Sequence, residues 1–129
     1  MKNKLIKTID IKKNITLNLY DSSKKLAGDS WLIKLIVQME IPVTEALIQE
    51  DSELVDIVTE IKKVLGEKVL FEQVLERIFI DDAKKEAVLK ELTESFLDNT
   101  FNYLSHKEFP KRYVLKKYKE MVEKETRYH

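Results

Sequence analysis

Two nearby stretches of strict period-two alternation constrain this chain more than any other feature. Ile15, Leu17 and Leu19 alternate with Thr16, Asn18 and Tyr20. Further on, Trp31, Ile33, Leu35, Val37, Met39 and Ile41 share one parity, while Leu32, Lys34, Ile36, Gln38 and Glu40 share the other. Side chains switch faces at each residue of a strand, so this spacing predicts two half-buried strands over residues 14 to 20 and 30 to 41. The segment Asp21 to Asp29 between them is rich in Ser, Lys, Gly and Asp and reads as a turn, with Gly28 supplying a positive φ. Pro42 lacks an amide proton and should end the second strand. Together these give an antiparallel hairpin with the Trp31 to Ile41 parity, Met39 included, turned to the core.

A third strand is expected over residues 67 to 80. Its period-two reading puts Val69, Phe71, Gln73, Leu75, Arg77 and Phe79 on one side and Leu70, Glu72, Val74, Glu76, Ile78 and Ile80 on the other. A helical stripe through Leu70, Val74 and Ile78 competes with it, but the preceding Gly66 and the Phe, Val and Ile content favour the strand. Elsewhere the spacing is helical. Thr44 to Gln49 fits a short helical turn, and Ser52 can cap a helix carrying Leu54, Ile57, Val58, Ile61, Val64 and Leu65 up to Gly66. Asp81 or Asp82 is expected to cap a long helix with Ala83, Val88, Leu89, Leu92, Phe96, Leu97, Thr100, Tyr103 and Leu104 on its apolar face. Pro110 then opens a last helix that runs to about Glu125. The predicted fold class is α+β: a small antiparallel sheet, made of the N-terminal hairpin plus a third strand, packed with about three helices. Residues 1–129 read as one domain, with residues 1–12 and 126–129 expected to be flexible tails.

Composition narrows the chemistry. Hydrophobic residues make up 43% and charged residues 36%, enough apolar material for a core and too much for a disordered chain. The absence of cysteine excludes disulfides, thiolate nucleophiles and zinc–thiolate or iron–sulfur sites, and fits a reducing, cytoplasmic setting. Only two glycines are present, so glycine-rich phosphate loops are excluded. The longest apolar stretch, Trp31 to Met39, is interrupted by Lys34 and Gln38 and is too short to span a bilayer. No cofactor and no metal site is expected: Asp81 and Asp82 read as caps, and Asp51, Glu53 and Asp56 suit a first helical turn but not an oxygen-ligand loop.

Among single residues, Ser22 and Ser23 lack the setting of a nucleophile and read as turn formers. His106, with Glu108 two residues on, is the centre of an alternative reading as a small enzyme. The C-terminal helix carries Arg112, Lys116, Lys117 and Lys119, with Tyr113 and Tyr118 interleaved, and could meet an acidic partner. A weak nucleic-acid-binding role for that helix is a further alternative, disfavoured by a net charge of zero. Charge is nevertheless polarised: residues 1–34 carry five surplus positive charges, residues 35–99 nine surplus negative, and residues 100–129 four surplus positive. Tyr20, Leu32 and Ile36 lie on the hairpin face opposite the predicted core. If helices cover one sheet face only, these three form an apolar patch suited to a homodimer or a protein partner. The leading expectation is therefore a non-enzymatic protein-interaction or accessory domain that self-associates or binds a partner.

Overall fold

The computed structural model describes residues 3–12, 15–44 and 58–128. In chain order these form β1 (Lys4–Lys12), β2 (Ile15–Asp21), β3 (Lys24–Lys25), β4 (Ser30–Pro42), α1 (Val58–Leu65), β5 (Lys68–Asp81), a 3-10 turn (Asp82–Lys84), α2 (Lys85–Asn99), α3 (Phe101–Leu104) and α4 (Phe109–Tyr128). The α+β class, the antiparallel hairpin and the third strand at residues 68–81 all match the sequence reading. The expected turn at Thr44 to Gln49 and the cap at Ser52 lie largely or wholly outside the described residues. The strands join in the order β1-β2-β4-β3, and β5 also pairs with β4. Lys4–Lys12, expected outside the sheet, is strand β1 and pairs antiparallel with β2. By its internal contacts the chain divides into two compact units.

The first unit comprises Met1–Met39 and Phe71–Ser105. Its β2–β4 register places Leu17 opposite Met39 and Leu19 opposite Val37, which stacks the apolar parities of both strands on one face. All four are at most 1% exposed, and Ile15, Ile33 and Leu35 join them. Leu92 and Phe96 of α2 and Leu104 of α3 are the buried helical residues. Each such side chain stabilises the fold by about 1.5–3 kcal/mol over leaving it in water.

The turn from β3 to β4 is closed by the Leu26 N–H on the Ser30 carbonyl at 2.8 Å, with Gly28 at φ 62° as expected. Ser22 and Ser23 serve the backbone. Ser22 N–H donates to the Lys34 carbonyl at 2.9 Å, Ser23 N–H donates to Asp21 Oδ1 at 2.9 Å, and Ser23 Oγ accepts from Lys34 N–H at 3.0 Å.

β5 lies antiparallel to β4. Gln38 Nε2 donates to Glu72 Oε2 at 2.6 Å, and Asp82 N–H donates to the Asp29 carbonyl at 2.9 Å. Between those two links β5 uses one residue more than β4, which is the signature of a β-bulge. Phe79, at φ 60°, lies within that stretch and has a left-handed backbone, which is uncommon for a residue other than glycine.

The second unit comprises Glu40–Leu70 and His106–His129. Ile41, Val43, Val58, Ile61, Val69, Phe109 and Val114 are buried there, and α1 packs against α4. Gly66, at φ 85°, closes α1 through its N–H on the Lys62 carbonyl at 2.8 Å, the C-terminal role its position predicts. Pro110 is the second residue of α4, where a missing amide proton costs no helical hydrogen bond.

Candidate interaction surface

Strand parity decides which residues of the first unit share the face opposite the buried one. Tyr20 pairs across the ladder with Ile36 and with Leu5, so Leu5, Tyr20 and Ile36 form an apolar row over three strands. The Gln38–Glu72 hydrogen bond shows that the even residues of β5 lie on the same face, which adds Val74 and Ile78. Next to the apolar row runs a polar one, in which Thr8 Oγ1 donates to Asn18 Oδ1 at 3.0 Å and Gln38 donates to Glu72.

Exposure along this face is uneven. Ile36 is only 8% exposed and Tyr20 and Leu32 are half-buried, so the three residues singled out in the sequence form the sheltered middle of the face. The open apolar surface lies at the two sheet edges: Leu5 is 53% exposed on β1, Val74 41% and Ile78 58% on β5, and Phe79 is 73% exposed at the bulge. Sequence reasoning missed these four. A signal for two of them was present, because Val74 and Ile78 share one parity with Glu72 and Glu76, whose charges mark that face of the strand as solvated.

In the second unit, Arg112, Lys116 and Lys119 are exposed at spacings of four and three, which places them on one stripe of α4. Lys117 departs from that stripe. It is half-buried, its Nζ lies 3.4 Å from Glu120 Oε2, and it stands 5.5 Å from the Tyr113 ring centroid.

A recess of about 210 Å³ opens in the first unit where the buried sheet face meets the start of α2. Trp31, Ile33 and Leu89 supply its apolar lining, and Asp21, Ser23, Lys85 and Glu86 its polar lining. Trp31 Nε1 donates to Asp82 Oδ1 at 2.8 Å, and the same oxygen lies 3.4 Å from Lys85 Nζ. Lys85 Nζ also sits 4.3 Å from the Trp31 ring centroid, within cation–π range. The Trp31 hydrogen bond first, and the Lys85 charge second, hold the Asp82 carboxyl below the usual aspartate value.

This arrangement corrects the capping expectation. Asp81 precedes the 3-10 turn without a side-chain cap bond, α2 is preceded by Lys84, and Asp82 is engaged by an indole 51 positions away in sequence.

His106 is exposed, and its Nδ1 accepts the Glu108 N–H at 3.1 Å while its carbonyl accepts the Phe109 N–H at 3.0 Å. Those bonds close the turn before α4. Among the described residues, no group of three or more His, Cys, Asp or Glu side chains is placed to hold a metal ion. Nor, among them, is any helix long and apolar enough to cross a membrane. No protein family, curated protein or solved structure matches the chain.

Proposed function

We propose that the chain is a protein-interaction or accessory domain whose contact surface is the sheet face that ends on β5. The observation that carries this reading is the open apolar surface of Val74 and Ile78, with Phe79 beside them at the bulge. The less exposed residues of that strand, Val69, Phe71, Gln73 and Leu75, hold the other parity from Val74 and Ile78. Exposed apolar groups grouped on one edge are what a partner must cover, whereas single ones scattered over a surface call for no explanation. The recess at Trp31 falls below the roughly 300–1,000 Å³ of pockets that enclose small-molecule substrates, which favours contact over catalysis. A cytoplasmic setting goes with this reading, because a cysteine-free chain draws nothing from an oxidising compartment.

The test is sedimentation velocity of a fluorescently labelled chain, alone, with excess unlabelled chain, and in soluble cell extract. We expect the wild type to sediment as a species larger than 15.3 kDa in at least one of the last two conditions. The Val74→Glu variant should lose that species while keeping the wild-type melting temperature. A chain that sediments at its own mass in every condition would overturn the reading.

A further inference from the structure

One segment and one recess of the first unit fit each other. The recess is about 210 Å³ with Trp31, Ile33 and Leu89 as its apolar lining. An apolar cavity of about 150 Å³ accepts a benzene ring, so one phenyl group matches the space. Two carboxylates stand at the recess, Asp21 and Glu86, and the cation in its lining, Lys85, is drawn to Asp82. The occupant with the complementary chemistry is therefore an aromatic side chain with a cationic neighbour.

Arg77-Ile78-Phe79 has that chemistry. Phe79 is 73% exposed and Ile78 58%, and Arg77 is exposed with its Nη1 on the Glu76 carbonyl. The bulge holds Phe79 at φ 60°, a conformation bulky residues rarely adopt, and strain of this kind gathers where a side chain is presented for contact.

We propose that a second copy of this chain is the partner, and that the two copies exchange Phe79: the ring of each enters the recess of the other, with Arg77 set against Asp21 and Glu86. The proposal rests on the protein-interaction reading of the exposed β5 edge and names the partner of that edge; the recess that receives the ring lies on the other sheet face, beside α2. Segment and recess belong to the same compact unit, and with a two-fold axis between them both insertions would be made at once and the assembly would close at two copies. Two exchanged rings make a small interface, so the dimer should dissociate on dilution.

Sedimentation equilibrium over a wide concentration range tests this. The wild-type mass should rise from 15.3 kDa towards twice that value. Phe79→Gly removes the ring and suits the positive φ, so this variant should give a wild-type-like dispersed amide spectrum and remain monomeric. Arg77→Glu and Glu86→Arg should each weaken the dimer several-fold, and the two together in one chain should restore it, because the facing charges have been exchanged. A wild type that stays monomeric at the highest concentration, or a Phe79→Gly variant that dimerises like the wild type, would overturn the exchange. A dimer lost in Val74→Glu but intact in Phe79→Gly would sink the exchange and leave the sheet-face reading standing.

Discussion

The indole N–H of Trp31 donates to Oδ1 of Asp82 across 2.8 Å, tying the start of β4 to the turn that launches α2. That bond and the neighbouring Lys85 favour the ionised carboxylate, so the carboxyl titrates lower in the folded chain than in the unfolded one. Linkage sets the sign. A depressed acid contributes stability that is fully present above its unfolded pKa and is lost as pH falls through its folded pKa. The Trp31 indole proton, tracked by NMR during acid titration, should shift with a midpoint below the ordinary aspartate value. Asp82→Asn should abolish that step. A midpoint at or above the ordinary value would show that the carboxylate is not held by these partners.

At the bulge, the backbone of Phe79 takes a conformation that costs a residue bearing a Cβ about 1–2 kcal/mol. Glycine escapes that cost but gives the unfolded chain more freedom, which takes back about 0.5–1 kcal/mol. Phe79→Ala keeps the strain and removes the ring, so it is the proper reference. Urea denaturation should find Phe79→Gly more stable than Phe79→Ala by about 1 kcal/mol. Equal stability of the two, or a more stable alanine variant, would mean that the bulge stores no strain.

The same bulge explains where the sequence stopped being readable. Period-two reasoning puts Phe79 on one side with Val69 and Phe71, but an extra residue in a strand shifts the parity of every residue after it, and nothing local in the sequence marks the shift. β1 was missed for the same reason. Its pairing with β2 slips between Leu5 and Lys7 and again between Asp10 and Lys12, so its apolar residues never alternate cleanly. β2 and β4 pair without a slip, and there the buried set tracks the alternation from Ile15 to Leu19 and from Ile33 to Ile41, except at Ile36, which is buried on the opposite face. Gly28 and Gly66 were legible because positive φ has a chemical marker. The recess was not, because Asp21, Trp31 and Glu86 come together only through tertiary packing. Asp82 shows the competition directly: a residue suited to helix capping by local rules is engaged by a distant indole.

β5 has β4 as its strand neighbour, and among the described residues no other strand pairs with it, which leaves a long edge rich in Val, Leu, Ile and Phe. Such an edge invites pairing with the same strand of another copy. Glu72 and Glu76 oppose it. With Val74 on a two-fold axis, antiparallel pairing of two β5 strands sets Glu72 of each against Glu76 of the other, and shifting the axis to Glu72 sets that residue against itself. Like charges directly opposed across a ladder are destabilising. Replacing both by valine would leave an uninterrupted apolar row from Leu70 to Ile78 on this edge. Light scattering should then show Glu72→Val/Glu76→Val forming species well beyond a dimer, while Glu72→Lys/Glu76→Lys, which keeps like charges opposed, stays as soluble as the wild type. If the valine variant keeps the wild-type mass distribution, the glutamates are not what guards this edge, and the bulge at Phe79 would be the remaining candidate for that role.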